Sequence, residues 1–415
     1  VALLHVVMDG RLIGDLDGTG PRLRLRYDPD TVTDPTFVPL SMSMPAAKIR
    51  WRGTPIRSWA EGLLPDRDGV IRRWRAQFGV TDLNPESLLE HVGEDLAGAA
   101  QFVRPDRLDT VLQREGTVES LTDDDLADIV RRAHDDVLPY DQESTTGRFS
   151  LAGAQVKIAL QRTDTGWALP FGAEPSTHIF KPAISGLAEQ DIAEVLTMRT
   201  ASRLGLPTAH AFVTELGGER MIGVERYDRI QVDGRWHRVH QEDLCQASGT
   251  HPMRKYESQG GPGVARCGDV IREHCEPDVE RFAQAVVFSY LVRGSDAHAR
   301  NYSLLLTPGD VRLAPLYDLN MTFPFGDQWA HRTAMRIGGE DRLDRIEARH
   351  WLRFSDELRL DPGWTLDQIR TMAQHLPDAL ATIRTEPDVA AMEPTTSRAV
   401  QDRASQWCET AASRL

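Results

Sequence analysis

Cysteine is scarce in this 415-residue chain: Cys245, Cys267, Cys275 and Cys408 are the only four, and no C-x-x-C pair occurs. That excludes a disulfide-stapled scaffold and favours a reducing compartment, so a cytoplasmic location is expected. Cys267, His274 and Cys275 lack a fourth ligand and a short paired spacing, so zinc is not expected either. Long apolar runs are missing too. Nowhere do about 18 apolar residues follow one another, and residues 1–10 carry no basic region of the signal-peptide kind, so a secreted or membrane-spanning protein is not expected. A surplus of positive charge is absent as well. The formal net charge of −14 argues against gripping nucleic acid through the whole surface and suits a basic protein partner. No internal repeat or low-complexity segment occurs. At 40% hydrophobic and 27% charged residues, the chain is globular and long enough for two or three domains.

Residues 1 to about 40 alternate apolar and polar, with glycines at 10, 14, 18 and 20, and predict a small β-meander. From about 60 to 100 the period turns helical, with Leu88, Leu89, Val92 and Leu96 on one face and Gly98 as the stop. Another helix is expected to begin at Leu121-Thr122-Asp123, capped by Thr122 with acidic residues in its first turn. Residues 141–150 are polar and turn-rich and read as a mobile loop. Beyond about 386 the tail reads as loosely attached until a final helix. Lys48, Arg50, Trp51 and Arg52, with Arg72, Arg73, Trp74 and Arg75, mix basic and aromatic residues as nucleic-acid surfaces do. A packing role for arginine stems and tryptophan rings is the preferred reading.

The chemistry is concentrated downstream. After an apolar run from Ala285 to Val292, Asp296 and Asn301 stand in the D-x-x-x-x-N spacing of kinase catalytic loops. There the aspartate orients the attacking hydroxyl and the asparagine holds Mg²⁺. Two short apolar strands, Tyr302 to Leu306 and Val311 to Ala314, are predicted around Pro308-Gly309-Asp310. Asp318 follows, where a kinase places its metal-gripping aspartate. Phosphoryl transfer needs such a set because charge developing on the transferred group must be met by metal ions held on carboxylates. His298 is better read as shaping the loop than as an acid or base.

Upstream, Ala152-Gly153-Ala154-Gln155-Val156-Lys157 puts small residues between apolar stretches, letting a backbone approach phosphates, although it is neither Walker A nor G-x-G-x-x-G. Thr177 to Lys181 reads as a strand ending in a lysine aimed at the α- and β-phosphates. Glu194, on a helix from Glu189 to Leu204, is its expected ion-pair partner. Met221 to Arg229 reads as a strand entering a charged turn, with Glu225, Arg226 and Tyr227 suited to a hinge whose backbone reads adenine.

These blocks, together with His240 to Gln246, Lys255 to Gly263 and Leu316-Tyr317-Asp318, make the chain resemble HipA-type serine/threonine kinases, toxins of bacterial toxin–antitoxin pairs. The likeness covers nearly the whole length. It implies an α+β, atypical protein-kinase-like fold with a β-rich N-terminal lobe and a mostly helical C-terminal lobe. The expected units are residues 1–115 (β-rich with helices), 116–228 (phosphate loop, ATP lysine and hinge) and 229–415 (catalytic loop and metal site). The resemblance implies Asp296 as catalytic base, Asn301 and Asp318 on Mg²⁺, and Lys181 on ATP. Residues Ala152, Gly153, Ala154, Gln155, Val156 and Lys157 would form the phosphate loop. His298, Arg300 and Tyr317 join the same ATP site, and Arg300 replaces a more usual lysine. Ser150 is the implied autophosphorylation site, whose added charge of roughly −1.5 to −2 would expel the loop. The implied partners are a small basic helix-turn-helix antitoxin of the HipB kind, operator DNA through that antitoxin, and a protein substrate, notably glutamate–tRNA ligase. The alternatives are a corepressor and antitoxin-binding module with little transfer, or a kinase of small molecules on a related fold.

Overall fold

Two-residue Asp-Gly turns shape two of the hairpins in this computed structural model, which describes residues 3–134, 155–184, 186–187, 189–326, 331–392 and 397–415. Asp9-Gly10 and Asp233-Gly234 all have positive φ (48°, 81°, 50° and 75°), the mirror-image turn whose twist matches paired strands. The first joins β1 (Leu4–Met8) to β2 (Arg11–Asp17). The expected meander continues through β3 (Arg24–Tyr27) to β4 (Arg50–Arg52), and β5 (Ala100–Val103) returns to pair with β1. The order is β4-β3-β2-β1-β5, antiparallel in every pair.

The second sheet comprises β6 (Gly116–Ser120), β7 (Ile158–Thr163), β8 (Gly166–Gly172), β9 (His178–Pro182), β10 (Ala211–Leu216) and β11 (Glu219–Glu225), in the order β10-β11-β9-β7-β8-β6. One apolar core runs from the first sheet (Leu4, Val6, Leu25, Phe102) into the second (Ile158, Leu160, Phe180, Met221). A second core belongs to the helices Gln190–Arg203, Val264–Cys275, Val279–Leu291, Ala348–Leu358, Pro362–Ile383 and Ser397–Ser413. The three-stranded sheet β14 (His240–Asp243), β15 (Ser303–Thr307) and β16 (Asp310–Leu313) rests on that helical core, after the hairpin β12 (Arg229–Val232) and β13 (Arg235–Arg238), which is exposed at its tip and buried at Arg229 and Arg238. The fold is α+β, as the sequence predicts.

Several local expectations change. The helix holding Leu88, Leu89 and Val92 is Pro85–Val92 and ends at Gly93, not at Gly98. A Cβ on Gly93 would lie 2.3 Å from the Leu89 carbonyl, and Leu96 packs into the core from the turn beyond. Gly98 has a different task. It sits at φ +79° with Gln241 backbone atoms 2.7–2.8 Å from where a Cβ would be, so only glycine lets this loop press against β14.

The tail is not loose at its start. Arg199 forks onto Glu386 (2.5 Å) and Asp388 (2.6 Å), and the final helix buries Val400, Ala404, Cys408 and Ala411. Thr122 and Asp125 cap the helix Asp123–His134 reciprocally, as expected. Trp74 is buried and Lys48 lies 4.2 Å over the Trp51 ring, the packing role preferred for this face, while Arg50, Arg52, Arg72 and Arg73 are exposed. All four cysteines are buried free thiols, and no metal-binding group of His, Cys, Asp and Glu exists among the described residues. No described helix is long and apolar enough to cross a membrane.

Candidate active site

A cleft of about 680 Å³ opens between the second sheet and the helical part, a volume suited to a nucleotide-sized ligand. Its lining includes Gln155, Val156, Lys157, Lys181, Glu225, Arg226, Tyr227, Asp296, His298, Arg300, Asn301, Tyr317 and Asp318. Ser150, Ala152, Gly153 and Ala154 lie outside the described residues, as does the loop 141–150.

Lys181 is the centre of the cleft's charge. Strand β9 carries it inward, and its Nζ donates to Glu194 (2.7 Å) and to Asp318 (2.6 Å). Burial works against the ammonium, but these two carboxylates raise its pKa above the usual lysine range. Glu194 is fully buried on the helix Gln190–Arg203, and Gln190 donates to its second oxygen at 3.2 Å. Asp318 adopts the left-handed φ of +58°, uncommon for a residue with a side chain, and keeps 38% of that side chain exposed. Its carboxyl is held below the usual range: burial opposes this, and the charges of Lys181 and Lys157 prevail.

Lys157 enters from the segment preceding β7. Burial pushes its pKa down to about 8, helped by Lys181 and opposed by Asp318, Asp66 and Glu194. Beside it the Gln155 amide donates to the Pro182 carbonyl at 2.7 Å.

The loop after the helix Val279–Leu291 is shaped by its own backbone. The His298 N–H donates to the Asp296 carbonyl (2.8 Å), the Asn301 N–H to the His298 carbonyl (2.9 Å), and the Asn301 amide to the Asp296 carbonyl (2.9 Å). This leaves the Asn301 side-chain oxygen for the cleft, beside an Asp296 carboxylate whose Oδ1 accepts the Tyr256 hydroxyl. Burial pushes the Asp296 pKa up, with Tyr256 and Lys255 pulling the other way, although its side chain is 62% exposed. The His298 ring shapes the loop less than expected. Among the described residues its Nδ1 has no hydrogen-bond partner, and burial lowers its pKa to about 3, so it stays neutral near pH 7.

Two of the cleft-lining residues assigned to the ATP site also brace the surrounding structure through their side chains. Arg300 donates to Asp243 (3.1 Å), the Gly62 carbonyl (2.8 Å) and Asp66, tying the catalytic loop to the N-terminal part. The Arg226 guanidinium is buried against Asp228, Ser176 and the Leu96 carbonyl. In the hinge itself, the Glu225 and Arg226 N–H groups are bonded to the His210 and Thr177 carbonyls, both at 2.9 Å. The Tyr227 N–H has no partner among the described residues, so it is the hinge donor left for a ligand. The Tyr317 ring lies 5.7 Å from that of Tyr227, tilted by 31°, and its hydroxyl donates to the Arg300 carbonyl at 2.8 Å.

Sequence reasoning gave no role to Asp66 or Tyr256. Asp66 meets Lys255 (2.9 Å) and Arg300 across 189 and 234 residues of chain, and no local pattern encodes that. Tyr256 lies in the block Lys255 to Gly263, whose glycines marked it without disclosing that the phenol donates to Asp296.

The chain is similar to known proteins over most of its length. The family described as HipA-like C-terminal domain matches residues 149–380, and HipA N-terminal domain matches residues 4–103. The chain is 34% identical over 392 residues to the Sinorhizobium fredii protein called "Putative kinase Y4mE", covering 92% of this chain and 90% of that one. It is 29% identical over 407 residues to the serine/threonine-protein kinase toxin HipA of Shewanella oneidensis, covering 92% and 89%. The solved complex of the Shewanella oneidensis toxin HipA with HipB and operator DNA superposes with a TM-score of 0.83 at 25% identity, covering 99% of this chain and 97% of that one.

Proposed function

From the premise that the chain belongs to the HipA family of kinase toxins, we propose that it is an ATP- and Mg²⁺-dependent serine/threonine protein kinase. The observation that carries this reading is Lys181, fixed between Glu194 and Asp318 in the cleft that Asp296 and Asn301 also face. Lys181 and Lys157 bind the phosphates, and the Tyr227 N–H reads the adenine edge. Asp318 and Asn301 supply hard oxygen donors, one carboxylate and one amide, a set that suits a Mg²⁺ completed by substrate phosphates and water. When bound, the metal neutralises charge on the transferred group. Asp296 orients the acceptor hydroxyl and takes its proton. Its raised pKa makes it a better proton acceptor than an ordinary surface carboxylate.

The biological reading is a toxin that phosphorylates a protein serine and so inhibits translation and growth, with glutamate–tRNA ligase as the favoured target and Ser150 as a site of autophosphorylation. A thiophosphate-labelling screen of lysate that marks only other proteins would remove that target. The partner is a small basic helix-turn-helix antitoxin of the HipB kind, through which operator DNA is reached. The net charge of −14 and the relative solved with HipB and its operator support this, and co-elution of the two proteins on gel filtration tests it. The cytoplasm is the location these partners require.

The decisive experiment is intact mass and phosphopeptide mapping after incubation with Mg-ATP, beside Asp296→Asn. Phosphate on Ser150 in the parent and none in the variant is the expected result. No phosphate on a parent that starts unmodified and binds ATP would overturn the protein-kinase reading.

A further inference from the structure

The segment 255–263 has no part in the transfer described above, yet it is anchored on both sides of Tyr256. Lys255 Nζ donates to Asp66 at 2.9 Å, and the Glu257 carboxylate accepts the Arg336 N–H at 2.6 Å. Its glycines allow a tight path: a Cβ on Gly261 would stand 1.9 Å from the Arg254 carbonyl oxygen, and one on Gly263 2.6 Å from the Glu257 carboxyl carbon. Between the two anchors, Tyr256 donates its hydroxyl hydrogen to Asp296 Oδ1. Its ring meets His298 edge-on, 5.0 Å between centroids and 82° between planes, which fixes the phenol's direction. Burial and the neighbouring carboxylate keep the phenol protonated, so it acts here as a donor.

We propose that Tyr256 is a placeholder for the acceptor: its hydroxyl occupies the position on Asp296 that the acceptor's hydroxyl takes, and an incoming substrate loop must displace it. The proposal rests on the kinase reading and adds an acceptor-side gate to it. In the transfer, the acceptor hydroxyl gives its proton to Asp296 as its oxygen bonds the γ-phosphorus and the bond to departing ADP breaks. A hydroxyl that approaches Asp296 at Oδ1 competes with the phenol already hydrogen-bonded to that oxygen. Water drawn to the same oxygen meets the same competition, so the phenol slows wasteful hydrolysis of ATP until a protein acceptor displaces it. Tyr256 is thus a positioning residue that selects for acceptors able to displace the segment.

The test is acceptor-free hydrolysis of Mg-ATP by the full chain, comparing the parent with Tyr256→Phe and with Asp296→Asn as the background control, alongside calorimetric titration of ATP. Losing a hydrogen bond to a charged group corresponds to about tenfold in rate, so Tyr256→Phe is expected to hydrolyse ATP about tenfold faster, with ATP affinity unchanged. Lys255→Met, which frees the segment from Asp66, is expected to shift hydrolysis in the same direction by less, and it serves if Tyr256→Phe is poorly folded. Normal ATP binding with unchanged hydrolysis in both variants would overturn the gate alone. Failure of the parent to bind Mg-ATP would instead overturn the kinase reading, and the gate with it.

Discussion

Two buried ionic clusters occur in this fold, and they are built for opposite ends. Arg226, Arg229 and Arg238 surround Asp95 and Asp228, with every side chain at most 9% exposed. The Leu96, Gly98 and Ala173 carbonyls accept further guanidinium hydrogens, and the Gly98 N–H donates to Asp228. That cluster is closed. It fastens the 95–98 loop of the N-terminal part to the turn after β11, and so fixes where the hinge stands. The cluster of Lys181, Glu194 and Asp318 is open on one side: Glu194 is sealed, whereas Asp318 is 38% exposed and sits in a backbone conformation that costs free energy. A buried ion pair alone therefore does not mark a site. An ion pair with one member turned to a cleft on strained backbone does.

The largest effect is expected from breaking the open cluster. Asp318→Asn should lower phosphoryl transfer by at least about 10³-fold, through loss of the charge that meets the metal. Its unfolding free energy should change by no more than about 1 kcal/mol, because Lys181 retains Glu194 and asparagine tolerates the left-handed backbone. Single-turnover transfer together with a denaturant titration reads both. A variant that transfers normally would show that Asp318 holds no metal. Breaking the closed cluster should do the reverse. Asp228→Ala strands Arg226 and the Gly98 N–H in the interior and should cost about 3–5 kcal/mol of stability, seen as a lower denaturation midpoint. A loss under about 1 kcal/mol would mean that the cluster does not fasten the hinge.

The same contrast explains what could be read from the chain. The Lys181–Glu194 pair was legible because a strand-end lysine and a glutamate on the helix after it, 13 residues apart, stand in the order that kinases use. The hairpin β15–β16 was legible from its turn residues and apolar runs. The closed cluster was not, since Asp95 reaches Arg229 across 134 residues and nothing local distinguishes a buried arginine from a surface one. Arg226 was accordingly placed in the ATP site on its position alone, and only its buried guanidinium shows where that side chain goes. The helix stop at Gly93 was misplaced for a related reason. Leu96 keeps the apolar period after the helix has ended, so the pattern overran the structure.

The smallest effect is also the one that divides the two clusters by pH. Arginines hold their protons throughout the working range, so the closed cluster has no titration near neutrality. Lys157, on the cleft side, has a pKa pushed down to about 8, chiefly by burial. In the unfolded chain the same group titrates near 10.5, so between those values the unfolded state binds more protons and the free protein gains stability as pH rises. Nucleotide binding should run the other way, because the phosphates require the protonated amine. Above pH of about 8 the dissociation constant for ATP should rise by up to about tenfold per pH unit. Lys157→Met should bind more weakly at neutral pH and show a flat profile there. Calorimetric titrations from about pH 7 to about pH 9.5 measure the slope. A parent whose ATP affinity is constant across that range would show that Lys157 meets no phosphate, leaving Lys181 as the cation that does.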